Sequence, residues 1–449
     1  MKKYIILINF VLIISSCSKK LDEIKPRNAI LQEQLTDADI IKLRNGVYAQ
    51  VEQGIFSFAF DFDVRADNFR SGPGFSLVDA VNMNPSDASI LSLWRSAYNR
   101  IADVNFLLET LELSPNQTTD KQTYKGEGLY FRALLYYHLV TRWGGVPILT
   151  KRTFDIVPRS SEAQVWAQIK SDLLAAEALV PDFSNKFFVS KQAIQSLLAS
   201  VYLATNDKNN TILYADKVLN YATSTSKFAL TTDANGFATN FISNTTSKEV
   251  IFAFVNSNTN SRKLYYSLVN DVDPTWNYSP SLNVISSLYA DGVKPNRVSD
   301  KRKTAVFSSD NTRLIKFPNG RTGQQLVATS NADATPVVIT RFSELFLIKA
   351  EALGSSIAAE TTLASYFIAR YNTPPTAGTV AALSSTDFHN LILDERHREF
   401  YGESYRWFDI KRTNRLDLLP SLAGRNYLMY YPIPQVERDL GGYSQNTGY

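Results

Sequence analysis

One cysteine and three histidines are all that 449 residues offer in soft or imidazole ligands. A lone cysteine, Cys17, excludes an intramolecular disulfide and any zinc site built on thiolates. His389 and His397 stand about 12 Å apart along a helix, too far to share a metal unaided. No apolar run reaches the ~20 residues a membrane-spanning helix needs. The chain has no zinc-protease motif, no Gly-x-Ser-x-Gly elbow and no phosphate-binding loop, and Gly126-Glu-Gly128 lacks both the third glycine and the flanking strand of a dinucleotide fingerprint. Lysines and arginines form no tract, which excludes a nucleic-acid-binding face. An inverting glycoside hydrolase survives these absences, because it needs only two carboxylates roughly 6.5–9.5 Å apart.

What is present is ordinary globular material, 44% hydrophobic and 20% charged. The N-terminus is the exception. Lys2 and Lys3 form a basic start, Tyr4 to Ile14 an apolar core of about eleven residues, too short to cross ~30 Å of hydrocarbon. Ile14-Ser15-Ser16-Cys17 then reads as a lipobox, so residues 1–16 are expected to be a lipoprotein signal peptide and Cys17 the acylated residue of the mature chain. Loss of Lys2 and Lys3 takes the formal charge from +4 to +2. Residues 17–35, with mixed charges and Pro26, read as a tether.

The chain is organised around Glu127 to Thr150. Leu129, Phe131, Leu134, Leu135, Tyr137, His138 and Leu139 make a stripe broad enough to be buried on two sides, which predicts a core helix up to Trp143. Gly144 and Gly145 cap it, and Pro147 forbids resumption. Before it, Thr36 caps a helix with Ile40, Leu43, Val47 and Val51 inward and Gly54 as its stop. Ser86 is expected to cap a long helix carrying Trp94-Arg-Ser-Ala-Tyr98-Asn-Arg-Ile101-Ala-Asp-Val-Asn105. After it, Glu162 to Leu179, Ser190 to Ala204 and Asn210 to Tyr221 are helical. The small-and-large alternation of Ala193 to Ala204 with Tyr214 to Leu219 is that of a tetratricopeptide unit, and Glu344 to Leu353 with Leu363 to Tyr371 repeats it.

Two irregular stretches stand out. Asp63 to Pro85 contains Asp67, Asn68, Phe69 and Phe75 and exceeds the usual length of a connection. In it, Asp67 and Asn68 serve either a ligand or the turn's own backbone. Residues 223–340 form a Ser/Thr/Asn-rich insertion with short β-like runs such as Glu249 to Val255. It holds Trp276 and Tyr278 among turn formers, where an indole suits stacking on a sugar ring and equally suits plugging a core edge. Glu395, Glu399 and Glu403 share a helix face with Arg396, Arg398, Arg406 and Arg412 interleaved nearby. That pattern points to a partly buried ion-pair network fixing the helix against the Trp407 segment, not to paired catalytic acids.

Several of these stretches resemble the SusD-like (RagB/SusD) nutrient-uptake lipoproteins of the Bacteroidetes outer membrane. They are Trp143-Gly-Gly-Val-Pro147; the Trp94-x3-Tyr98-x2-Ile101-x3-Asn105 helix; the Glu344 to Leu353 pair; and Glu395-Arg-His-Arg-Glu399 with Gly402-Glu-Ser-Tyr-Arg406-Trp-Phe-Asp409-Ile-Lys411-Arg412. Tyr431-Pro-Ile-Pro434 and Gln445-Asn-Thr-Gly-Tyr449 resemble the family's ending, with Thr447 where proline is usual. The resemblance implies a mainly α, tetratricopeptide-like scaffold with an irregular insertion of minor β structure. It divides the mature chain at 36–222, 223–340 and 341–449. It implies a lipid-anchored protein on the extracellular side of the outer membrane, partnered by a SusC-like TonB-dependent transporter. The ligand would be an oligosaccharide or a peptide, bound without cofactor, metal or catalytic residue. Asp67, Asn68, Phe69, Phe75, Trp276 and Tyr278 are the expected ligand contacts.

Overall fold

A computed structural model describes residues 35–59, 61–71, 82–114, 120–242, 246–255, 278–291, 295–312, 314–317, 335–422 and 424–449. Cys17, Phe75 and Trp276 lie outside them, as does the side chain of Tyr278.

Helix α1 (Asp37–Phe56) opens on a capping box. The Thr36 hydroxyl accepts from the Asp39 N–H at 3.3 Å, and Asp39 Oδ2 accepts from the Thr36 N–H at 3.1 Å, so two orphan donors satisfy each other's residue. Gly54 does not stop it. The helix runs two residues further, and Gly54 is a contact glycine, where a Cβ would sit 2.6 Å from Arg100 Cγ. After α2 (Asp61–Arg65) and strand β1 (Phe69–Ser71) comes α3 (Ala88–Leu113), whose N-cap is Asp87 and not Ser86; Asn84 N–H donates to Asp87 Oδ2 at 2.7 Å.

Helix α4 (Lys121–Trp143) packs between α3 and α5 (Glu162–Glu177). Its Tyr130, Phe131, Leu135, Tyr136 and Leu139 are fully enclosed, a burial each worth about 1.5–3 kcal/mol for a large apolar side chain. At its end Gly144 takes φ +71, and a Cβ on Gly145 would fall 2.3 Å from the Ser160 carbonyl oxygen. The turn is locked by the C-terminal tail: Trp143 Nε1 donates to the Pro432 carbonyl at 2.9 Å, and Asn446 Nδ2 donates to the Trp143 carbonyl at 3.0 Å. Three motifs far apart in sequence thus meet at one point.

The scaffold continues through α6 (Lys191–Ala204) and α7 (Lys208–Thr225), then α8 (Ala234–Thr239), β2 (Val250–Phe254), β3 (Tyr278–Pro280), α9 (Leu282–Leu288), β4 (Val298–Asp300) and α10 (Lys303–Val306). Strand β5 (Val337–Arg341) runs straight into α11 (Phe342–Leu353), followed by α12 (Ile357–Arg370), β6 (Tyr371–Thr373), α13 (Ser385–Glu399), α14 (Arg406–Arg412) and α15 (Gln435–Gly441). Helix α7 packs on both α6 and α11, so the two tetratricopeptide-like pairs form one scaffold across the insertion. The fold is mostly helical. Its described strands form three separate two-stranded antiparallel pairs, β1 with β3, β2 with β5 and β4 with β6, each tying part of the insertion to the helical body. No described helix is long and apolar enough to cross a membrane.

Candidate functional site

Two clusters deserve weighing, and the first is the acidic face of α13. Glu399 accepts from Arg341 Nη1 at 2.6 Å, from Arg370 Nε and Nη2 at 2.8 and 2.9 Å, and from Arg302 Nη1 at 3.0 Å. Glu395 accepts from Arg302 Nη2 at 3.0 Å, from Arg297 and from the Tyr371 hydroxyl. Glu403 takes Arg341 Nη2 at 2.7 Å and Nε at 2.9 Å, and Lys316. Glu249 joins through Arg341 and Arg370. Glu395, Glu399 and Glu249 are fully buried. Burial alone would raise the Glu395 carboxyl, but Arg302, Arg297 and Arg398 hold it down at about 2. Glu399, set against the same burial by Arg370, Arg341 and Arg302, lies well below the usual carboxylate range. A glycosidase's general acid needs the opposite shift and an open face. This face is structural.

The expected network is therefore present, with corrections to its geometry and its partners: α13 ends at Glu399, and Glu403 joins from the turn beyond it. Among the interleaved arginines, Arg396 pairs with Asp409 at 2.8 Å and Arg412 with Glu351 at 2.5 Å, while Arg398 leans to Asp300. The cations on Glu395, Glu399 and Glu403 come from Arg297, Arg302, Lys316, Arg341 and Arg370, on the insertion, β5 and α12. The glutamates thus fix the helix against those elements, while Arg396 fixes it against the Trp407 segment through Asp409, as expected; the Trp407 ring itself takes the Arg65 guanidinium at 4.3 Å.

The second cluster is the β1–β3 pair, which joins the two irregular stretches. Phe69 faces Pro280, Arg70 faces Ser279 and Ser71 faces Tyr278, so Asp67–Phe69 and Tyr278 belong to one hairpin-like unit. Its anchor is buried. Asp63 Oδ1 accepts from Asn68 Nδ2 at 2.6 Å and from the Gly402 N–H at 3.2 Å, and Oδ2 accepts from the Ser404 N–H at 2.5 Å. Burial still pushes the Asp63 carboxyl up to about 7 against those bonds. His397 Nε2–H donates to Asn68 Oδ1, and its ring stacks on Tyr401, whose hydroxyl donates to the Asn68 carbonyl. His397 is held neutral by burial, with Arg406 and Arg398 adding to the effect.

This placement differs from the expectation for two residues. Asn68 and Phe69 are enclosed, Asn68 with both ends of its amide in hydrogen bonds and Phe69 edge-on to Tyr401 at 5.9 Å, so both hold the turn in place. Asp67 is different. It takes φ +58, its Oδ1 is buried without a hydrogen-bond partner, and burial, partly opposed by Arg406, raises its carboxyl to about 6. Arg406, the first residue of α14, is half-buried, and its Nε also lacks a partner. It lines a cleft of about 490 Å³ with Arg297, Asp394, Arg415 and Leu418. Arg406 thus stands outside the ion-pair network to which its sequence surroundings assign it. Only its position, unlike its residue type, separates it from Arg396 and Arg412. Among the described residues no group of acids, histidines or cysteines has metal-binding geometry.

Comparison with known proteins adds a second line. Residues 19–203 match a family described as starch-binding, associating with the outer membrane, and residues 308–425 match the SusD family. The SusD-like protein P38 of Formosa agariphila is 25% identical, with 92% of this chain and 93% of that protein aligned. A SusD superfamily structure from Bacteroides thetaiotaomicron superposes with TM-score 0.73 at 22% identity, over 92% of this chain and all of the other. A laminarin-binding SusD-like protein superposes with TM-score 0.71 at 20% identity, over 90% of this chain and 99% of its own.

Proposed function

We infer that this chain, which belongs to the SusD-like family, captures an oligosaccharide at the cell surface and passes it to a SusC-like TonB-dependent transporter of the outer membrane without breaking a bond. The observation that carries the reading is the match of residues 19–203 to a starch-binding, outer-membrane-associating family. The laminarin-binding relative favours a glycan over a peptide. Cys17 supplies the lipid anchor, each buried CH₂ of its acyl chains contributing about 0.8 kcal/mol. The proposed ligand contacts are Asp67 and the Phe75, Trp276 and Tyr278 aromatics. Aromatic rings stack on the apolar faces of sugars, while carboxylates and amides take their hydroxyls.

Electrophoresis of the purified chain through gels containing laminarin, xylan, galactan or mannan tests this. Retardation in at least one, with no reducing ends released, is expected. Binding to oligopeptides and to none of the polysaccharides would overturn the glycan reading, and release of reducing ends would overturn the non-catalytic one.

A further inference from the structure

Where the helical scaffold, the insertion and the turn after α13 meet, they enclose a cavity of about 130 Å³. Much of its wall is apolar: Phe58 and Phe62 around the start of α2, Leu134 on α4, Leu197 on α6, Phe317 of the insertion and Ile339 on β5. Some of the polar side chains among them are already committed. Arg142 chelates Asp61 at 2.5 and 2.7 Å, and Glu344 accepts from the Tyr405 hydroxyl at 3.1 Å. Two neighbours on α4 are not. The Arg142 guanidinium can only donate, and it does so to His138 Nδ1 at 3.2 Å, so the neutral imidazole carries its proton on Nε2. Burial, reinforced by Arg142, keeps that ring uncharged. Among the described residues neither the His138 Nε2–H nor the Tyr137 hydroxyl has a hydrogen-bond partner, and neither is sealed into the packing as the unpartnered Tyr130 hydroxyl is. Both side chains line the cavity and are only half-buried.

We propose that this cavity is a binding site for a small neutral phenol, separate from the glycan site. A void of about 150 Å³ walled by leucine, isoleucine and phenylalanine takes up benzene, so a single aromatic ring is the size that fits. The phenylalanines offer that ring edge-on and offset contacts. Its hydroxyl supplies what bare hydrocarbon would lack, an oxygen that accepts from the His138 Nε2–H or exchanges a hydrogen bond with the Tyr137 hydroxyl. A hexose does not suit the space, because several of its hydroxyls would face apolar walls without partners. Benzoate, close to phenol in shape, would bring a charge to a wall whose Arg142 is already taken by Asp61.

Isothermal titration calorimetry of the purified chain with phenol, benzene, benzoate and glucose tests the site. Phenol should bind saturably, benzene about tenfold more weakly for want of the hydrogen bond, and benzoate and glucose should not compete with either. The double variant His138→Phe with Tyr137→Phe keeps both rings and removes both polar groups, so it should bring phenol down to the benzene value and leave benzene unchanged. Leu134→Trp, which fills the space from α4, should abolish both. Circular dichroism shows whether that variant is folded, and if it is not, the phenol and benzene affinities of wild type and double variant decide alone. The site is overturned by any of four results: no saturable phenol binding to wild type, competition by benzoate or glucose, phenol affinity unchanged in the double variant, or phenol still bound by a folded Leu134→Trp. Polysaccharide retardation is a separate measurement, so this site and the glycan reading fail independently.

Discussion

Glu399 Oε1 lies 2.6 Å from Arg341 Nη1, and neither side chain is more than 1% exposed. Arg341 also bonds Glu249, Glu403 and the Glu399 carbonyl, so one guanidinium ties β5 to β2, to α13 and to the turn after it. Every charge in this cluster has surrendered water, and each is tolerable only while its partners remain.

Replacing Glu399 with glutamine should therefore destabilise the fold by about 3–5 kcal/mol, the cost of leaving buried cations uncompensated. The same variant should keep wild-type affinity for whichever polysaccharide retards the chain, since the cluster is not in the cleft. Thermal melting and gel retardation on one sample check both halves. An unchanged melting temperature would show that the network contributes little to stability.

The network also shows where sequence reasoning stops. The i, i+4 spacing of Glu395, Glu399 and Glu403 declared a shared face, and its arginine-rich surroundings declared pairing. The true partners lie 58 residues away for Arg341 and 97 for Arg302, and no local rule links a strand-end arginine to a helix so distant. The cap at Thr36 read out well, because a cap is made within four residues. Gly54 misled for the opposite reason, since it makes room for Arg100 on another helix, whereas at α3 the cap falls one residue past Ser86, at Asp87. At the candidate site, the turn at Asp67 was legible in the sequence. The pairing of Phe69–Ser71 with Tyr278–Pro280, and the unpartnered Nε of Arg406, required the tertiary structure.

Gly145→Ala should be among the most damaging single-methyl changes in the chain. The added Cβ would meet the Ser160 carbonyl oxygen at 2.3 Å, a backbone atom that cannot rotate away. Overpacking of this kind costs about 1–3 kcal/mol, and here it also strains the turn that seats Trp143 against the tail. Urea unfolding should show the loss, with Gly46→Ala, which has open space at its Cβ, near wild type or better as the control.

Cys17→Ser should release the protein from the membrane fraction. The lipobox reading takes Cys17 as the acylated residue, and no described helix is long and apolar enough to cross a membrane. Metabolic labelling with palmitate and a carbonate wash of membranes check it, and a variant still labelled and still sedimenting would end the anchor assignment.

Lys411 gives the chain an alkaline-side dependence that one substitution isolates. Its Nζ donates to the Thr141 carbonyl at 3.0 Å and stands 3.7 Å from the centre of the Tyr430 ring, with no ion pair among the described residues. Burial pushes the amine down to about 7; Glu162 opposes this, while Arg142 and Arg65 reinforce it. Between pH 7 and the unfolded value near 10.5, the unfolded chain holds a proton that the folded chain has released, so this group makes stability rise with pH across that window. Asp63 and Asp67, raised to about 7 and 6, act with the opposite sign, Asp63 being still half-titrated where the window opens, and both are common to the two proteins compared. Lys316, lowered to about 8, acts with the same sign as Lys411 and is common to both proteins compared. Lys411→Met should therefore be at least as stable as wild type at pH 7, and wild type should gain on it steadily up to pH 9. Urea unfolding of both proteins at half-unit intervals measures that difference, and a difference constant from pH 7 to 9 would mean that Lys411 keeps its ordinary charge inside the fold.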